Sequence, residues 1–300
     1  MRGHGNALYA AALTGLVLAA LAPVPATAQG CSGQTCLGLP CTICGTGGAD
    51  TLFGTGGNDV ICGFGGSDTI NGGSGNDMIC AGLGNDDVDA ESGADTVACE
   101  DGVDLLDGGA GADTIACTTA CTVDLAAGTC RELGDTDTIV SFTHATGSED
   151  ADILSGDGLN NTLTGLGGGD TLNGGNGADT LNGDSGNDTL SGGPGADILN
   201  CGSGASDTLS YLYSSTGVTV NLATGDAPEG DTISGCENVT GTSSFDELTG
   251  DGGANILTGS AGEDFLDGAG GTDTCNGGPP GIFQGVDICV SCETAIGCEG

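Results

Sequence analysis

Residues 45–116 divide without a gap into eight nine-residue units, beginning GTGGADTLF, GTGGNDVIC, GFGGSDTIN and GGSGNDMIC. They continue as AGLGNDDVD, AESGADTVA, CEDGVDLLD and GGAGADTIA. The fourth position is glycine every time, from Gly48 and Gly57 to Gly111. The sixth is aspartate every time: Asp50, Asp59, Asp68, Asp77, Asp86, Asp95, Asp104 and Asp113. The eighth is aliphatic every time, from Leu52 to Ile115. A short fixed period restricts a chain to repeat architectures, in which each unit packs only on its neighbours.

The register breaks over residues 117–146 and returns at Gly147 for six more units. Their sixth positions are Asp152, Asn161, Asp170, Asp179, Asp188 and Asp197, and a seventh unit with one extra residue carries Asp207. A second break over 211–240 precedes four units with Asp246, Asn255, Asp264 and Asp273. The two breaks resemble each other. Thr219-Val-Asn-Leu echoes Thr122-Val-Asp-Leu, and Asp231-Thr-Ile echoes Asp137-Thr-Ile. With 63 glycines, no tryptophan and nine Phe plus Tyr in 300 residues, a wide core cannot be built. A narrow one, lined by a file of aliphatic side chains, can.

The pattern resembles the RTX (haemolysin-type) calcium-binding nonapeptide family, G-G-x-G-x-D-x-U-x with U apolar. The resemblance implies an all-β fold, a right-handed parallel β-roll or β-solenoid. Six residues of each unit would form a turn and three a short strand, with two units per 18-residue coil. It also implies several calcium ions, held between the turns of units n and n+2.

The residue types suit that metal. Glycines at positions one, two and four permit tight turns that aim carbonyl oxygens at one point. Aspartate adds a hard anionic oxygen, and calcium accepts six to eight oxygens in irregular geometry. The shared pairs would be Asp50 with Asp68, Asp59 with Asp77, Asp68 with Asp86, Asp77 with Asp95, Asp86 with Asp104, and Asp95 with Asp113. Later pairs would be Asp152 with Asp170, Asp170 with Asp188, and Asp179 with Asp197; Asp264 and Asp273 extend the set. The turn glycines are Gly45, Gly47, Gly48, Gly54, Gly56, Gly57, Gly63, Gly65, Gly66, Gly72, Gly73 and Gly75. In the second array they are Gly165, Gly168, Gly174, Gly175, Gly177, Gly183, Gly186, Gly192 and Gly195. Asn161 and Asn255 remove a charge, and Glu91, Glu100, Asp150, Leu159 and Ser244 replace turn glycines. The most complete sites are therefore expected at residues 45–86 and 165–200. Each unit buries one aliphatic side chain, worth about 1.5–3 kcal/mol, yet must order nine residues. Calcium is expected to couple to folding.

Arg2, an apolar run over residues 7–22 and Ala26-Thr27-Ala28 read as a secretory leader over 1–28. Without it the formal charge moves from −40 to −41, and Arg131 and His144 are the remaining basic side chains. Nucleic acid and anionic lipid are excluded as partners. Nothing after the leader reads as a membrane span. The expectation is a secreted, extracellular monomer, with a cell-surface or glycan partner as the alternative setting.

All sixteen cysteines follow the leader, which in an exported chain implies disulfides. Cys44, Cys62 and Cys80 are 18 apart, as are Cys99 and Cys117, so each set would stack on neighbouring coils. Cys99–Cys117 and one of Cys44–Cys62 or Cys62–Cys80 are expected to bond. Zinc at Cys41-x-x-Cys44 and Cys289-x-x-Cys292 is the weaker reading. The organisation is then leader 1–28, Cys-rich cap 29–44, array 45–116, insert 117–146, array 147–210, insert 211–240, array 241–276 and Cys-rich cap 277–300.

Gly183-Asp-Ser-Gly186 resembles a protease nucleophile motif, but it lies in register as turn residues and His144 is its sole candidate base. The chain is expected not to be an enzyme. Outward Thr171, Asn173, Thr180 and Asn182 offer a second reading, a surface-binding or ice-binding ladder, against the plain fact that threonine suits solvated strands.

Overall fold

The computed structural model describes residues 31–279 and 287–298. The leader assigned to 1–28 and part of the C-terminal segment lie outside them. Within them the fold is an all-β parallel roll, whose one helical turn is Pro228–Gly230. No helix among the described residues is long and apolar enough to cross a membrane.

Each regular unit contributes one three-residue strand, and strands 18 residues apart pair in parallel register. Thr51–Phe53 lies on Thr69–Asn71, and Val60–Cys62 lies on Met78–Cys80. Alternate units therefore build opposite faces. One face is a fifteen-stranded sheet from Thr51–Phe53 to Thr294–Ile296. The other is a ten-stranded sheet from Ile43–Cys44 to Thr232–Ser234, followed by four strands from Thr219–Asn221 to Ile288–Val290.

The middle residue of each strand points inward, because side chains alternate along a strand. Leu52, Ile70, Val88 and Leu106 face Ile61, Ile79, Val97 and Ile115 across the coil. The file continues through Leu154, Leu163, Leu172, Leu181, Leu190 and Leu199.

The inserts are antiparallel excursions within the same stack. In the first, Cys121–Asp124, Thr129–Glu132 and Asp137–Val140 run up, back and up between Leu105–Asp107 and Ile153–Ser155. In the second, Asp226 bridges antiparallel to both Asn221 and Thr232. The first excursion widens one face and the second widens the other. This explains why the echoed sequences Thr122-Val-Asp-Leu and Thr219-Val-Asn-Leu both start an excursion.

All sixteen cysteines form eight disulfides, but not the expected ones. Cys99 and Cys117 do sit in register, as do Cys44, Cys62 and Cys80. They bond elsewhere: Cys99–Cys130, Cys117–Cys121, Cys31–Cys44, Cys41–Cys62 and Cys36–Cys80. In-register side chains of parallel strands point the same way. Their Cβ atoms keep the strand spacing of about 4.8 Å, whereas a disulfide needs about 3.5–4.5 Å and converging Cβ vectors. The stacked cysteines thus bond to segments outside the repeat, the N-terminal cap and the first insert. The hairpin of Thr35–Cys36 and Leu39–Pro40 is tied in this way to the outer side of Val60–Cys62 and Met78–Cys80. At the far end Cys275–Cys292 and Cys289–Cys298 close the last coil. With every sulfur bonded, neither Cys-x-x-Cys pair can supply zinc thiolates.

Candidate metal sites between the coils

The repeat aspartates form two buried columns beside the strands. In each column the carboxylate Oδ1 accepts the backbone N–H of the sixth residue one coil earlier. Asp50 donates to Asp68 (2.7 Å), Asp59 to Asp77 (2.8 Å), Asp68 to Asp86 (2.7 Å) and Asp77 to Asp95 (2.7 Å). Asp86 donates to Asp104 and Asp95 to Asp113, both at 2.8 Å. In the second array Asp152 donates to Asp170 (2.9 Å), and Asp170 to Asp188 and Asp179 to Asp197 at 2.8 Å. In the third, Asp246 donates to Asp264 and Asn255 to Asp273, both at 2.9 Å.

The columns run on through residues that lack the glycine turn. Asp104 donates to Asp137, Asp197 to Asp231, and Asp264 to Asp287. Glu237 and Glu293 receive the N–H groups of Asp207 and Asp273. These five acids were absent from the expected set. Their signal was an acid two residues before an apolar strand centre, as in Asp137-Thr-Ile139 and Glu237-Asn-Val239.

The second carboxylate oxygen divides the units into two kinds. In the first coil of every array it is already bonded by the unit's second residue. Thr46 donates N–H and Oγ1 to Asp50 Oδ2 at 2.6 and 2.8 Å, and Thr55 does the same for Asp59 at 2.7 and 2.8 Å. Ser148 caps Asp152 and Thr242 caps Asp246. Asp157 and Asp251 donate N–H to the Oδ1 of Asn161 and Asn255 at 2.8 Å.

In every later coil the second oxygen is buried with no partner. This holds at thirteen aspartates: Asp68, Asp77, Asp86, Asp95, Asp104, Asp113, Asp170, Asp179, Asp188, Asp197, Asp207, Asp264 and Asp273. The second residue there, Glu100 excepted, lies at positive φ, as at Phe64 (76°), Gly73 (99°), Gly175 (94°) and Ser260 (76°).

Stacking causes the difference. The third residue of a later turn donates its N–H to the second residue's carbonyl in the turn ahead: Ser74 to Thr55, Leu83 to Phe64, Asn176 to Asp157 and Ser185 to Leu166. A first coil has no glycine turn ahead of it. Accordingly a Cβ on Gly47, Gly48, Gly56 or Gly57 would meet nothing within 4 Å. Gly66, Gly75, Gly168, Gly177, Gly186 and Gly195 instead press on the backbone one coil ahead. Gly65 bridges to Leu83.

First-position glycines keep an oxygen-lined hollow open. A Cβ on Gly72 would stand 3.0 Å from Asp77 Oδ2 and 2.8 Å from the Ala90 carbonyl oxygen. On Gly268 it would stand 2.6 Å from both Asp273 Oδ2 and the Ser291 carbonyl oxygen. Gly45, Gly54, Gly63, Gly165, Gly174 and Gly183 hold the same position against the next coil's carbonyl, and Gly192 against the Asp197 carboxylate.

The columns are electrostatically frustrated. Burial, reinforced by the charges of Asp95 and Asp59, pushes Asp77 up to about 6 despite the Asp59 N–H. Burial raises Asp170 and Asp179 to about 6, and Asp104 and Asp264 to about 7. A buried polar atom without a partner costs about 1–3 kcal/mol, more when charged. A hard cation would relieve both penalties, and beside the orphaned oxygens of Asp68, Asp77, Asp170, Asp179, Asp188 and Asp273 the nearest donors are hard backbone carbonyls. Among the described residues the one tight cluster of ligand-type side chains is Cys99, Cys130 and Asp137. Its cysteines are bonded to each other. A metal in the columns would therefore take mostly carbonyl oxygens with one or two carboxylates, a set that fits calcium and not a soft metal.

The remaining candidate residues are engaged in packing the coils. Ser185 Oγ donates to the Leu166 carbonyl, and His144 Nδ1 accepts the Thr162 N–H at 3.0 Å.

Comparison with known families agrees with this geometry. The family model for the RTX calcium-binding nonapeptide repeat matches residues 45–79, 63–97, 81–115, 146–181, 173–207 and 240–278. No curated protein matches the chain. The matched segments span all three arrays and more than half of the chain, and the chain belongs to the RTX calcium-binding nonapeptide repeat family.

Proposed function

We propose that this is a secreted, non-enzymatic calcium-binding protein whose roll is completed by calcium held between the Gly/Asp turns of neighbouring coils. One observation carries the reading: the thirteen buried aspartate oxygens without a partner, all in later coils. The ligands would be those Oδ2 atoms and the first-position carbonyls beside them. Calcium would supply the positive charge the columns lack, and binding would be coupled to ordering of the coils. The eight disulfides suit an oxidising, extracellular setting.

The test is far-UV circular dichroism and calorimetry of the oxidised mature chain after chelation. A cooperative gain of β signal on adding calcium, absent with magnesium, is expected. β structure already complete in chelator and unchanged by calcium would refute the coupling. A surface-binding role on the same scaffold is the second reading, favoured by one groove beside the second insert.

A further inference from the structure

We infer that the groove where the second insert leans over the second array is a binding site for a neutral saccharide. Its floor is a row of outward polar side chains on adjacent parallel strands. Asn173 pairs in register with Ser191, and Ser210 follows on the next strand. They succeed one another at the strand spacing of about 4.8 Å. Its walls are the loop of residues 211–216 and the turn of residues 228–231, and it encloses about 370 Å³. That falls within the roughly 300–1,000 Å³ of small-molecule sites.

The side chains are those that recognise sugars. After the leader segment the chain has two tyrosines and no tryptophan, and both tyrosines line this groove. Tyr211 is buried, and its hydroxyl donates to Asp231 Oδ2 at 3.2 Å. Tyr213 is 87% exposed, the most exposed large hydrophobic side chain among the described residues. A ring left that open offers a rigid apolar face at little entropic cost, matched to the C–H face of a pyranose. Asn173 and Asn176 supply paired donors and acceptors, and serine hydroxyls supply either.

Glu229 sits on the wall at a positive φ of 58°. The Gly195 N–H holds one of its oxygens at 2.9 Å, leaving the other to accept a sugar hydroxyl. The groove contains two carboxylates and no basic residue, so phosphorylated, sulfated and sialylated ligands are repelled. Asp231 spends its oxygens on the Asp197 N–H and the Tyr211 hydroxyl. These bonds fix the Asp231 carboxylate and the Tyr211 ring in the wall of the groove.

The inference requires a folded roll but not calcium as its cause. The test uses the oxidised mature chain in calcium, with circular dichroism on the same samples to read the calcium dependence separately. Saturation-transfer NMR and calorimetry would be run with maltotriose, cellotriose and chitotriose as neutral probes and sialyllactose as the anionic one. At least one neutral probe is expected to bind with a Kd of about 1 mM or tighter. Tyr213→Ala should weaken it about tenfold and Asn173→Ala less, both with unchanged circular dichroism. No binding by any neutral probe, equal binding by sialyllactose, or full affinity in Tyr213→Ala would each overturn the assignment.

Discussion

The first coil of each array and the coils behind it share one sequence period yet face opposite electrostatic problems. In residues 45–62, 147–164 and 241–258 each unit settles its own carboxylate or amide oxygen with its second residue. In the coils behind them the same oxygen is buried and unpartnered. Residue type alone does not decide between the two. Ser260 and Asp184 could cap as Ser148 and Asp157 do, but each lies in a later coil at positive φ, 76° and 65°. The turn ahead has already taken the backbone, through contacts such as the third residue's N–H on the second residue's carbonyl. Docking a turn onto its predecessor thus removes its internal cap and creates the vacancy that a cation would fill. First coils act as starters, and each array would begin without calcium's help.

The largest expected effect on this contrast is collective and depends on pH. In the calcium-free roll, burial holds Asp77, Asp170 and Asp179 near 6 and Asp104 and Asp264 near 7, above the ordinary carboxylate value. The folded chain then binds more protons than the unfolded chain between about pH 4 and 7. Stability in chelator should be highest at the acid end of that window and fall as pH rises through 6 to 7. In calcium the sign reverses, because protons compete with the metal. Chemical denaturation at pH 5 and pH 8, with and without chelator, measures all four corners. Equal stability in chelator at both pH values would show that the columns are not frustrated.

Next in size is a matched glycine pair. Gly75 lies at φ 116°, and a Cβ there would stand 2.7 Å from the Gly57 carbonyl carbon and 2.9 Å from the Asn58 nitrogen. Gly57, directly ahead in the first coil, would present its Cβ to open space. Gly75→Ala should cost about 3 kcal/mol in calcium. Gly57→Ala should stay within about 0.5 kcal/mol. Similar shifts in thermal midpoint for the two would erase the distinction between first and later turns.

A carboxylate pair comes third. Asp77→Asn removes an unpartnered buried charge and should stabilise the calcium-free roll by about 1–3 kcal/mol. It should also weaken calcium binding. Asp59→Ala instead breaks the bonds from Thr55, which an amide oxygen would keep as in Asn161, and should destabilise the calcium-free roll by about 1 kcal/mol. Opposite signs in chelator are the diagnostic, read by hydrogen exchange of the neighbouring strands.

Much of this molecule is legible in its sequence because the period is set by backbone geometry. Glycine, aspartate and aliphatic residues at fixed places define the turn, the column and the inward file, and the aspartates 18 apart touch because 18 residues make one coil. Disulfide partners were not legible. Register placed Cys99 beside Cys117 correctly, but in-register Cβ atoms run parallel, and each sulfur bonds instead to a strand of the first insert, whose path the repeat does not encode. The capped first coils were half visible. Thr46, Thr55, Ser148 and Thr242 stand where later units often have glycine, and the two remaining first-coil units pair Asp with Asn, Asp157 with Asn161 and Asp251 with Asn255. What no single unit reveals is whether another turn stands in front of it.

The smallest effect isolates that last point. Thr55→Gly removes the hydroxyl bond to Asp59 but leaves the backbone N–H in place, at a cost of about 0.5–1 kcal/mol. If residue type at the second position created the cap, glycine here would let the unit adopt the positive-φ turn of Gly73 and expose a new oxygen to calcium. The calcium stoichiometry would then rise. If the absence of a turn ahead creates it, the Asp59 oxygen keeps the residue 55 N–H and the stoichiometry stays as it was. The stacking contacts favour the second outcome, since Ser260 and Asp184 already show that a residue able to cap fails to do so once a turn lies ahead of it. Calorimetric stoichiometry of Thr55→Gly beside the parent chain decides between a rule written in each unit and a rule written in the stack.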